Sequence, residues 1–61
     1  MRPASANVYD SLAEAYEQNG KVDLAAPLYA KAYQLGRQNN DPALETFKRN
    51  ADRTAGALKK P

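Results

Sequence analysis

Apolar residues in this chain recur three and four positions apart, and no stretch alternates with a period of two. A helix repeats every 3.6 residues and a strand every two, so this spacing excludes a sheet as the organising element. No turn signal joins two β-like runs either. The chain is therefore expected to be all-α: three helical segments with short connections.

The first segment covers residues 6–19. Leu12 and Tyr16 follow Val8 or Tyr9, with Ala13 and Ala15 around them, in one helical stripe. Ser5 or Asn7 can cap it, because a short side-chain oxygen accepts from an unpaired first-turn N–H. Asn19-Gly20 ends it, since glycine enters the left-handed region at little cost. The second segment covers residues 22–35, with Ala25, Leu28 or Tyr29, Ala32 and Leu35 as its spine and Gly36 as its natural stop. Pro27 stands inside it, without an N–H and with a ring that crowds the carbonyl four residues back. That carbonyl belongs to Asp23, at the helix entrance, and position 27 falls on the side away from Ala25, Tyr29 and Ala32. One helix is expected, with an irregular first turn and the proline ring outward.

The third segment begins at Asp41-Pro42, a capping residue followed by one suited to the first helical position. Leu44, Phe47, Ala51, Ala55 and Leu58 mark one face, and Lys48, Arg49, Asp52, Arg53 and Lys59 fall mostly elsewhere. Gly56 weakens the last turns by about 1 kcal/mol relative to alanine, so fraying is expected near Lys60.

At 61 residues there is room for one small core, and neither cysteine nor histidine is present. Below roughly 70–80 residues such a core supplies about 3–5 kcal/mol. Disulfides and thiolate or imidazole metal sites are unavailable as staples, so added stability is expected from association with another copy or a partner. No apolar run approaches the roughly 18 residues of a membrane span, and the N-terminus lacks the apolar core of a signal peptide. The default expectation is a soluble, cytoplasmic chain with no membrane partner. The compartment stays open for a piece of a larger secreted protein, because absent cysteines do not discriminate.

The net charge of +2 is too small to argue for nucleic acid, but its distribution is uneven. Residues 1–36 carry three basic and four acidic side chains, whereas residues 37–61 carry six basic and three acidic ones. Solvated helix faces explain this, and so does charge-complementary packing between copies or onto an acidic surface. Lys48, Arg49, Arg53, Lys59 and Lys60 make a basic helix, yet the four tyrosines belong to the helical hairpin of the first two segments and are not free for base stacking. Nucleic acid is thus a weak alternative.

An enzyme is not expected. Besides tyrosines, Ser5, Ser11, Thr46 and Thr54 are the hydroxyl nucleophiles, and no histidine or cysteine can activate or replace them. Asp10, Glu14 and Glu17 share a helix face, but carboxylates do acid–base work only in a sheltered pocket that three short helices can hardly build. The spacing of a calcium loop is missing as well. No catalytic residue, metal or cofactor is expected.

Residues 6–39 resemble one tetratricopeptide repeat, a helix–turn–helix unit of about 34 residues. The resemblance rests on Tyr9-x-x-Leu12-Ala13-x-x-Tyr16, on Gly20 at the turn, and on Ala25-x-x-x-Tyr29 with Ala32. Tyr9, Ala13 and Tyr29 replace tryptophan, glycine and phenylalanine and keep their size class. The proline that usually follows the second helix is missing; Gly36-Arg37 stands there, so the helix can run on, with the break delayed to residues 39–42. Residues 1–5 would form a tail, and residues 40–61 a terminal capping helix with a polar outer face and a frayed end.

The resemblance implies a non-enzymatic interaction or scaffolding module. Asn7, Asp10, Glu14 and Glu17 would face a peptide groove along the first helix. Asp10 and Glu14 stand where a terminal carboxylate would need cationic or amide partners, so a basic or apolar segment is the expected peptide. One repeat with one extra helix leaves apolar surface over. Leu28, Tyr33 and Leu35, together with Leu44, Phe47 and Leu58, are the expected self-association residues of a homodimer. The opposed charges of the two chain ends would steer that pairing, at about 0–1 kcal/mol per surface pair. The alternative is a tail excised from a larger protein, as in lone C-terminal repeats of some bacterial hydrolases, or a designed repeat, binding a peptide in the groove.

Overall fold

The computed structural model describes residues 5–59. Most of the N-terminal tail and the fraying expected near Lys60 lie outside them. The described residues form an all-α unit of three helices: α1 (Ala6–Gln18), α2 (Val22–Asn39) and α3 (Leu44–Lys59). Each boundary has a local cause. Ser5 caps α1 by accepting from the Val8 amide at 3.4 Å. At its end the Lys21 amide donates to the Tyr16 carbonyl and the Gly20 amide to the Glu17 carbonyl, both at 2.9 Å. This paired closure needs a left-handed residue between, and Gly20 supplies it with φ +76°.

The helix α2 is continuous through Pro27, which is exposed. The Leu24 and Ala25 amides both donate to the Lys21 carbonyl, at 3.1 and 3.0 Å, so the entrance turn is closed before the proline is reached.

Gly36 is not the stop of α2. It stays helical and buried, and the helix runs on to Asn39. The left-handed residue is Asn40, with φ 52°, which asparagine tolerates better than most residues. The Asp41 amide closes back onto the Gly36 carbonyl at 2.9 Å. Asp41 then turns the chain into α3: its Oδ1 accepts from the Ala43 amide at 2.8 Å, with Pro42 between them.

Packing is organised around α2, which touches both other helices closely, while α1 and α3 meet at fewer places. These two helices lie close enough on the same side of α2 for Asp10 to meet Asn50 and Glu17 to meet Arg53. Ala13, Ala25 and Tyr29 form one buried cluster, flanked by Tyr16, Leu28 and Ala51. Ala6, Ala32 and Phe47 form the other, flanked by Tyr9, Tyr33, Leu35 and Ala43. Alanines sit where helix backbones approach, and the large rings fill the space beside them.

The face of α3 differs from the expected one. Phe47 and Thr54 are its buried residues, whereas Ala55 is exposed and Leu58 is 48% exposed. The inward stripe turns towards Asn50 and Thr54 because α3 must face α1 as well as α2. Thr54 is admitted because its hydroxyl donates to the Asn50 carbonyl at 2.8 Å, which satisfies it within its own helix.

Gly36 permits the seat of α3. A Cβ at this position would lie 2.9 Å from Cδ2 of Phe47 and 3.2 Å from Cδ1 of Leu44. Phe47 is 1% exposed, so its ring has no open space into which to withdraw. A Cβ at Gly56 would meet nothing. The two glycines should therefore respond oppositely to alanine in thermal melts. Gly56→Ala should stabilise by about 1 kcal/mol through helix propensity. Gly36→Ala should lose about 1–3 kcal/mol to overpacking despite the same propensity gain. Equal effects at both positions would contradict this packing.

Candidate functional site

Polar side chains of α1, α2 and α3 converge in one network. Glu17 lies at its centre, on the inward-facing last turn of α1, with its side chain 24% exposed. Its Oε1 accepts from the Tyr29 hydroxyl at 2.8 Å and from Nη2 of Arg53 at 3.0 Å. Its Oε2 accepts from Nη1 of Arg53, so the guanidinium meets the carboxylate with two parallel bonds. Arg53 Nη2 also donates to Oδ1 of Asn50 at 3.3 Å, and Asn50 Nδ2 donates to Oδ1 of Asp10 at 3.3 Å. The Arg53 Cζ lies 5.9 Å from the centre of the Tyr29 ring.

Helix geometry explains the convergence. Asp10 and Glu17 are seven apart, two turns on one face of α1; Asn50 and Arg53 are three apart, neighbours on α3. Both α1 and α3 run antiparallel to α2, so the lower-numbered pair meets at one level and the higher-numbered pair at the next. Arg53 supplies the reach that its shorter spacing lacks. Tyr29 is 2% exposed, and its buried hydroxyl would be costly without Glu17.

The charges respond to this arrangement. The Arg53 guanidinium holds the Glu17 carboxyl below its ordinary value, partly opposed by burial and aided by the Tyr29 hydroxyl. Burial, then the bond to Glu17, pushes the Tyr29 phenol up to about 12. Glu17 in turn raises the pKa of Arg53.

Two of the four expected groove residues are thus engaged inside the chain: Asp10 by Asn50 and Glu17 by Arg53 and Tyr29. Asn7 and Glu14 remain exposed. The three carboxylates of α1 do not gather, and among the described residues no group of three or more is placed to hold a metal ion. Two surface depressions lie elsewhere. One, of about 510 Å³, is lined by Gln34, Arg37 and Gln38; the other, of about 270 Å³, by Glu45, Lys48, Arg49 and Asp52. No unpartnered buried side-chain oxygen or nitrogen is found among the described residues.

The expected self-association residues also divide. Phe47 is spent in the core and cannot face a second copy of the folded unit. Leu28, Tyr33, Leu35 and Leu44 are half-buried. Tyr33 is additionally covered by Arg37, 5.8 Å above its ring. Leu58 is the one that stands well exposed. Leu12, expected inside, is 45% exposed, and Val8 and Leu24 are 60% and 44% exposed. The reason is that the inward arc of α1 centres on Ala6 and Ala13, which turns Val8 and Leu12 roughly opposite Asp10 and Glu17.

Among the described residues, no helix is long and apolar enough to cross a membrane. What fold and site define is an all-α three-helix unit tied by one polar network. No family model matches the chain, and neither a curated protein nor a solved structure matches it.

The network sets a pH window. Because the folded pKa of Glu17 is lowered, its stabilisation is complete above the ordinary value of 4.5 and is lost as pH falls through the folded value. The Tyr29 value is raised, so its contribution is complete below 10.0 and is lost as pH climbs towards about 12. The melting midpoint of the unaltered chain minus that of Glu17→Gln should therefore be flat from about pH 5 to about pH 9 and shrink towards acid. A difference that persists unchanged at pH 2 would contradict the role of this carboxylate.

Proposed function

We propose that this chain is a non-enzymatic protein-interaction module that associates with a second copy of itself. The carrying observation is how little bulk the core holds. Among the described residues the buried apolar ones are five alanines, Tyr29 and Phe47, while Val8, Leu12, Leu24 and Leu58 remain 44–60% exposed. A chain of 61 residues with so thin a core gains most from covering its remaining leucines.

A tetratricopeptide-like hairpin with a capping helix is the architecture we propose for it. Supporting this are Ala13, Ala25 and Ala32, all at 0% exposure, in positions where that repeat uses small residues for close helix approach. The non-enzymatic part rests on chemistry: the Glu17 carboxylate is held ionised by an arginine, and no histidine or cysteine accompanies it. Binding to nucleic acid is disfavoured because Lys48 and Arg49 alternate with Glu45 and Asp52 on α3.

A second reading has its own observation. Asn7 and Glu14 stay exposed beside Asp10, an edge that would suit a basic peptide segment. Shift mapping with basic and acidic peptides should move the Asn7 and Glu14 amides with the basic class alone; equal or absent shifts would remove this reading.

The principal test is light scattering over a dilution series, read with melting midpoints. Twice the 6.7 kDa chain mass is expected at high concentration, with a midpoint that falls on dilution. A monomer at every concentration, melting at a constant midpoint, would overturn self-association.

A further inference from the structure

We infer that the second copy is joined by exchange of α3, so that the third helix of one chain seats on the α1–α2 hairpin of the other. The inference rests on the proposed self-association and specifies its contact. The surface that holds α3 is specific in shape and charge. Gly36 leaves the notch for Phe47, Asp10 accepts from Asn50, and Glu17 receives Arg53 through two bonds. A partner for this surface must be a helix with an aromatic, an amide and an arginine at successive spacings of three. A second copy of the chain carries that helix.

The connection between α2 and α3 is built to open. It is four residues long, from Asn40 to Ala43. Its bend depends on Asn40, a residue with a Cβ held at φ 52°. Extending the connection releases that conformation and carries α3 away from its own hairpin. A short hinge is a usual route to exchanged dimers, because the contacts of the closed unit outside the hinge are all kept in the open one. The opposed charges of hairpin and third helix, which within one chain meet as Glu17 and Arg53, then hold two chains together. Exchange also tethers the two units side by side, which raises the local concentration of the apolar side chains each leaves uncovered.

The test uses two charge variants, Glu17→Arg and Arg53→Glu, alone and mixed after joint unfolding and refolding. Alone, each variant places two like charges in the network, in closed and exchanged forms alike. In the mixed exchanged dimer each hairpin receives the α3 of the other variant, and both opposite-charge pairs return. The mixture should therefore gain helicity and melt several degrees above either component, with a dimer mass. Asn40→Gly, which relaxes the bend, should lower the dimer fraction, and Asn40→Ala should raise it. A dimeric unaltered chain whose variants show no mutual rescue would overturn exchange and leave surface pairing standing. An unaltered chain that is monomeric throughout would overturn exchange and self-association together.

Discussion

Phe47 lying on Gly36 is the contact on which the rest of the structure depends. The backbones of α1 and α3 scarcely meet, so α3 is positioned by what it does against α2. The ring enters where α2 has no side chain, with Ala6 and Ala32 completing its surroundings. Once α3 is placed by this contact, Asn50 and Arg53 come to the level of Asp10 and Glu17, and the polar network can close. A bulkier residue at position 36 would push the helix outward and separate those partners. The apolar seat and the polar network are therefore successive consequences of one missing Cβ.

This order explains why alanine can dominate the core of so short a chain. Alanines bury little area each, at about 25 cal/mol per Å², but they let helix axes approach. The area they forgo is supplied by Tyr29 and Phe47, each shared between two helices. Tyr29 brings a hydroxyl inside with it, and Glu17 and Arg53 are the partners that make its burial acceptable. What remains outside, Val8, Leu12, Leu24 and Leu58, is the residue of that economy and the basis of the proposed association.

Much of the fold was legible because helix ends are written locally. Ser5, Gly20 and Asp41 each act on backbone groups within a few residues, and the outward proline at 27 follows from its place on the side of α2 away from Ala25, Tyr29 and Ala32. Gly36 misled for a physical reason. A glycine near a helix end reads as a stop, and only the tertiary approach of Phe47 shows that it serves as a notch. Leu12 misled likewise: periodicity marks a stripe but does not say which edge of it a third helix will claim. The network was half visible, in carboxylates seven apart on one segment and an amide and arginine three apart on another. Their pairing required knowing that α1 and α3 run in the same direction on the same side of α2.

If the seat of α3 on α2 unites the molecule, the hairpin cannot remain ordered when that helix leaves. Native-state hydrogen exchange measures this directly. The amides of Ala13 in α1, Ala32 in α2 and Ala51 in α3 should exchange with one common opening free energy, equal to that of global unfolding. Protection of Ala51 well below that of Ala13 and Ala32 would show the hairpin standing without its third helix, and would contradict the account.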